Sequence, residues 1–187
     1  MGKNKKRIFI ITVLAFFCIL ILPGCNRKQV ENKKIDESQL KKFSFKQFSE
    51  NFNLTIIGEG AEINEKDIKV NSPSFYIKGE TDIIEIKTGK EGTAEITIQP
   101  ENKQIQNVVF TGNIKITQKD KVSGKIIMEA ECGKLTYNDM AKEMIMEISP
   151  VIKRENNIFS GEKIYYFLEK NTLQIKGNVN VKIIPEK

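Results

Sequence analysis

The chain has no histidine, and only three cysteines among its 187 residues, two of which, Cys18 and Cys25, fall close to its start. Without imidazole, and with Cys132 alone in the remainder, it lacks the ligand set that zinc and other borderline metals require, so no metal and no other cofactor is expected. Cys132 has no intrachain partner, which excludes a disulfide framework even in an oxidising compartment. It is read as filling a small apolar site. The missing histidine removes the commonest general base, and no nucleophile-elbow or phosphate-loop spacing replaces it. The chain is therefore read as a non-enzyme, with Glu129, Glu131, Asp139 and Glu143 as solvated strand and turn positions.

Excess charge is also scarce outside the first residues. Of the formal net charge of +6, Lys3, Lys5, Lys6 and Arg7 supply the larger part, so the rest is nearly balanced and nucleic acid is not an expected partner. Those four cations precede an apolar run over residues 8–22 and then Leu22-Pro23-Gly24-Cys25, the layout of an export signal. The run has 15 residues, whereas a helix needs about 20 to cross a hydrocarbon core. Gly24 before Cys25, with Leu22 three positions upstream of it, resembles a lipobox, where cleavage leaves a diacylated Cys25. Two acyl chains hold a protein durably on a membrane. The alternative is an uncleaved anchor helix ended by Pro23-Gly24. Residues 1–24 are thus a lipoprotein signal peptide or membrane anchor, 25–42 a charged linker after Cys25, and 43–187 the folded domain.

In that domain Phe43, Phe45, Phe48 and Phe52 fit a short edge strand leading into a turn or helical corner. Beyond them the hydrophobic period is two, as at Ile96 and Ile98, Ile114 and Ile116, and Leu173 and Ile175. The runs are short, rich in Ile, Val, Phe and Tyr, and separated by turn clusters at residues 89–92, 100–102, 119–121, 138–139, 156–157 and 169–171. The pattern predicts an all-β fold of about a dozen or more short antiparallel strands joined by successive hairpins.

An offset of 29 lays Lys134-Leu135-Thr136-Tyr137 on Lys163-Ile164-Tyr165-Tyr166, Met144 on Leu173, Met146 on Ile175 and Lys153 on Lys182. Gly112-Asn113-Ile114 is echoed by Gly177-Asn178-Val179, with the two glycines expected at bends or bulges. Pro150, which lacks an amide donor, is expected at a strand start or an edge. In this order, Gly112-Asn113-Ile114, residues 134–138, Pro150-Val151, residues 160–168 and Gly177-Asn178-Val179 resemble the LptC family and its relatives with the OstA-like domain. Leu54-Thr55-Ile56-Ile57-Gly58 upstream is similar to that family's first strand pair.

The resemblance implies an antiparallel folded-over β-jellyroll, or "β-taco", behind an N-terminal signal or anchor helix, with a lipid trough between its layers. It implies a membrane-anchored periplasmic protein that accepts lipopolysaccharide from the inner-membrane lipopolysaccharide ABC transporter complex and passes it to LptA for export to the outer membrane. The expected site is the inner membrane, periplasmic face. The groove is assigned to Ile84, Ile86, Ile96, Ile98, Ile114, Ile116, Tyr137, Tyr166, Leu173, Ile175, Val179 and Val181, each of which is otherwise a plain core residue. By the same resemblance the edge near residues 43–57 joins the transporter. The C-terminal edge strand of Asn178, Val179, Asn180, Val181, Lys182, Ile183 and Ile184 meets LptA, and Asn180→Pro is expected to weaken that capture. A generic β-sandwich lipoprotein with a structural or interaction role is the competing reading, favoured by a sealed interior. The third is a freely soluble LptA-like protein or the periplasmic start of the outer-membrane translocon, which share the repeat.

Overall fold

A computed structural model describes residues 42–49, 51–64 and 67–185. Among these every regular element is a β-strand, and all pairings are antiparallel. The expected signal or anchor, Cys25 and the linker up to residue 41 lie outside the described residues.

The strands form a sequential meander creased across its middle into two facing layers. β1 (Phe43–Phe48) lies in the first layer, and β2 (Asn53–Gly58) runs there beside it before turning at Glu59 into β3 (Gly60–Ile63) of the second. β4 (Asp67–Asn71) returns through Ser72-Pro73 into β5 (Ser74–Lys78). β6 (Asp82–Thr88) passes through residues 89–92 into β7 (Thr93–Ile98). The two longest strands, β8 (Ile105–Asp120) and β9 (Ile126–Asn138), cross the crease and belong to both layers. The early part of β8 pairs with β7 and its late part with β6.

Three more creased pairs follow. They are β10 (Glu143–Glu147) with β11 (Val151–Arg154), β12 (Asn157–Ser160) with β13 (Lys163–Phe167), and β14 (Thr172–Lys176) with β15 (Asn180–Ile183). The first layer therefore runs β1-β2-β5-β6-β8-β9-β11-β12-β15, and the second β3-β4-β7-β8-β9-β10-β13-β14.

The crease falls where the backbone takes conformations that suit small residues. Gly112 has φ +109° and sits where the β8–β9 register shifts between Thr111 and Ile114, a bulge of the kind that bends a strand. Gly177 has φ +67° at the β14–β15 corner. Both glycines are thus at bends, and Pro150 directly precedes β11. The turn clusters were read as hairpins throughout, and residues 89–92 depart from that, because β6 and β7 do not pair and the segment is a corner between layers. The aromatic run ends in a turn rather than a helical corner, closed by Phe52 N–H donating to Ser49 Oγ and Ser49 Oγ–H donating to Phe52 O. The 29-residue repeat is also visible, since its two copies in β9 and β13 flank β10, with Leu135 and Ile164 both opposite Met146.

Alternation points one side of every strand between the layers. In the first layer one inward row follows the register Phe45, Ile56, Phe75, Ile86, Ile116, Ala130, Ile152, Phe159 and Val181. In the second, Ala61, Val70, Ala94, Phe110, Leu135, Met146, Ile164 and Ile175 form the facing row. The two layers share one continuous hydrophobic core.

Candidate functional site

The inner face is a candidate site because its apolar rows run the length of the meander but are not sealed equally along it. In the middle they are shut: Phe75 of the first layer lies 5.7 Å from Phe110 and 5.3 Å from Tyr137 of the second, ring centre to ring centre. Towards β14 and β15 the closure fails. Leu173 and Ile175 are only partly buried against the core, and Val181 and Ile183, which end the first layer's inward rows, are 50% and 72% exposed.

The assigned groove residues divide accordingly. Ile84, Ile86, Ile96, Ile114, Ile116, Tyr137 and Tyr166 are buried and packed by neighbouring side chains. Ile98, Leu173 and Ile175 are partly buried, and Val179 and Val181 are exposed. The structure brings the first ten into one cluster and leaves Val179 in the corner before β15. The C-terminal edge strand is shorter than expected: of residues 178–184 only Asn180–Ile183 form β15, because Gly177 and Asn178, both at positive φ, turn the chain at the crease. β15 pairs with β12 on one side alone, and β1 with β2 alone, so both are edges of the first layer among the described residues.

The long side of the trough opposite the crease is crossed by two sets of hydrogen bonds that sequence reasoning missed. Near the start, Gln47 of β1 donates through Nε2 to Asp139 Oδ2 (3.2 Å) and accepts through Oε1 from the Ile105 amide (2.6 Å). Asp139 also accepts from Tyr137 Oη (2.6 Å) and from Lys142 Nζ (2.7 Å). It is therefore not the solvated turn residue expected from its position, but a junction between layers. Further along, Tyr166 Oη lies 3.1 Å from Gln118 Oε1 and 2.8 Å from Asn171 Oδ1, and Gln118 Nε2 donates to Asp82. The available signal was a glutamine at an inward position of an otherwise apolar alternation, at both Gln47 and Gln118.

Burial raises the Tyr137 hydroxyl well above its ordinary range, reinforced by its bond to Asp139, and burial pushes Tyr166 up to about 12. Both stay protonated donors at any physiological pH. Cys132 is buried beside Ile114, and burial pushes its thiol up to about 12, so it fills space as an unreactive group.

A cavity of about 980 Å³ opens at the far end of the first layer, where Ile126, Ile127 and Ile183 stand among Lys125, Glu129, Lys153 and Glu155. Its lining mixes apolar and charged side chains. Among the described residues no group of histidine, cysteine or acidic side chains is placed to hold a metal, and no helix is long and apolar enough to cross a membrane.

Residues 82–172, from β6 to the first residue of β14, match the family model described as LptA/(LptD N-terminal domain) LPS transport protein. The span is thus similar to a lipopolysaccharide-transport domain of the LptA and LptD type, and the match does not single out the LptC family that the sequence resembles. Among solved structures, the crystal structure of LptH, the LptA homologous periplasmic component of the lipopolysaccharide transport device from Pseudomonas aeruginosa, aligns with a TM-score of 0.56. It is 14% identical, and the alignment covers 71% of this chain and 95% of that one, which shows a shared β-jellyroll fold. No curated protein sequence matches the chain.

Proposed function

We propose that the chain is a membrane-tethered periplasmic bridge protein that binds lipopolysaccharide, accepting it from the inner-membrane ABC transporter complex and passing it to LptA. The observation that carries this reading is an apolar interior that runs the length of a lipopolysaccharide-transport fold and is left incompletely covered at β14 and β15. A fatty chain gains roughly 25 cal/mol for each Å² of apolar surface it hides from water, so several chains lying on such rows offset much of the cost of leaving a bilayer. The rest of the groove assigned above becomes available as the layers part.

The two edges serve the flanking partners. β1 faces the transporter side and β15 the LptA side, each offering unpaired backbone groups for strand addition. The inner-membrane tether is Cys25 with its acyl chains or the uncleaved apolar segment. The role is binding and transfer, with no bond made or broken.

Two observations favour other readings. The closed middle, where Tyr137, Met144 and Phe110 are fully buried, suits a structural β-sandwich lipoprotein. The likeness to LptH suits a free LptA-like protein, which mass spectrometry of the mature N-terminus separates from a tethered one. The deciding experiment is extraction of the full chain from its native membrane in mild detergent, followed by mass spectrometry of co-purified lipid. Lipopolysaccharide in near-stoichiometric amount is expected; a lipid-free protein contradicts the reading.

A further inference from the structure

Gln118 is an anomaly in its row. Its neighbours across the strands, Ile84 and Met128, are apolar and buried, yet Gln118 is only 2% exposed and spends both amide atoms on hydrogen bonds, to Tyr166 and to Asp82. The bond to Tyr166 joins the two layers, because Gln118 lies in the first-layer part of β8 and Tyr166 on β13 of the second. It also stands at a boundary. On one side of Tyr166 is Met144, fully buried; on the other is Leu173, the first partly uncovered residue of the row.

We propose that the Gln118–Tyr166 bond is a latch on the lateral mouth, a cross-layer contact that an acyl chain entering from the open end must break once it is past the Arg154 Nη1–Asn171 O bond (3.1 Å) nearer that end. This rests on the lipid-binding reading above. A polar latch differs physically from an apolar one. When the layers part, Gln118 and the Tyr166 hydroxyl regain hydrogen bonds from water, whereas parted hydrocarbon gains nothing, so the latch holds the mouth closed without sealing it. Tyr166 keeps its proton throughout the physiological range, so a donor shared between Gln118 Oε1 (3.1 Å) and Asn171 Oδ1 (2.8 Å) is always present.

The consequence is an opposite response to single and double substitution. Tyr166→Phe leaves Gln118 Oε1 buried without its donor and weakens the closed state. Tyr166→Phe combined with Gln118→Met makes both partners apolar, a change that is neutral or stabilising for a closed site. Capture of cis-parinaric acid, a fluorescent fatty acid, by the full chain in detergent is expected to speed up roughly fivefold in Tyr166→Phe, the worth of about one hydrogen bond, and to return to the parental rate or below in the double variant. Tyr165→Phe, an outward change on the same strand, is expected to leave the rate unchanged. In the parent, 3-fluorotyrosine at position 166 should change its ¹⁹F shift on loading, a readout that requires no destabilised variant. An unchanged rate in Tyr166→Phe, a double variant as fast as the single, or an unmoved ¹⁹F resonance overturns the latch while lipid binding stands. A parent that captures no cis-parinaric acid overturns the lipid reading and the latch with it.

Discussion

The ring of Phe75 on β5 meets the ring of Tyr137 on β9 edge to face, with centroids 5.3 Å apart and planes at 63°. The contact ties the layers together at mid-trough and explains why that part of the interior is shut while the C-terminal end is not. Phe75→Ala removes this tie together with the Phe110 contact. A loss of about 3–5 kcal/mol is expected, as for other buried aromatic truncations, measurable as a lower urea midpoint with the β-sheet circular dichroism retained.

The Ile184 amide donates to Asn156 O at 2.7 Å, and this sets the parity of β15. In an antiparallel ladder alternate amides point the same way, so those of Asn180 and Lys182 face β12 and those of Val181 and Ile183 face the open edge. Asn180→Pro, the substitution suggested by sequence, would therefore damage the β12 pairing. Val181→Pro is the change that removes an edge donor. It is expected to weaken capture of a bridging partner such as LptA severalfold in a pull-down, with the β-sheet circular dichroism retained.

Gly112→Ala is expected to destabilise the fold by more than about 1 kcal/mol, since it forces an L side chain to a positive φ and places its Cβ 2.9 Å from Gly92 Cα at the crease. Gly124→Ala is the comparison. It has φ +69° but nothing within 4 Å of the new Cβ, so a smaller drop in melting temperature is expected.

The period-two runs made the strands legible, because burial on one face leaves a direct record in Ile96 and Ile98 or Leu173 and Ile175. Gly112 and Gly177 marked bends, and Pro150 a strand start, through their own backbone preferences. The crease itself left no separate mark. A corner such as residues 89–92 and a true hairpin both need glycine and polar residues, so composition does not tell them apart. The cross-layer junctions were hidden for another reason: Gln47 finds Asp139 and the Ile105 amide 92 and 58 residues away, and Gln118 finds Tyr166 48 residues away, and no local pattern encodes a bond of that range. Likewise, which inward positions are covered depends on the neighbouring strand. Ile164 and Ile175 look alike in sequence, but among the described residues only Ile164 has strands on both sides.

Stability should fall on the alkaline side. Unfolded tyrosine ionises near 10, whereas burial holds the folded Tyr137 and Tyr166 hydroxyls protonated to higher pH, Tyr166 to about 12. Above pH 10 the unfolded chain binds fewer protons than the folded one, so its relative free energy drops. The Tyr166 contribution is fully present below pH 10 and is lost between about 10 and 12, while that of Tyr137, whose hydroxyl is raised further, keeps declining beyond. Urea unfolding as a function of pH checks the sign, and Tyr166→Phe should flatten the decline.

The most direct measurement is photo-crosslinking from a benzoylphenylalanine placed at Ile175, an inward and partly buried position of β14, with Gln174 beside it as the outward comparison. In membranes containing lipopolysaccharide the account predicts a crosslink to lipopolysaccharide from position 175 and none from 174. No crosslink at 175, or equal crosslinking at both positions, would contradict it.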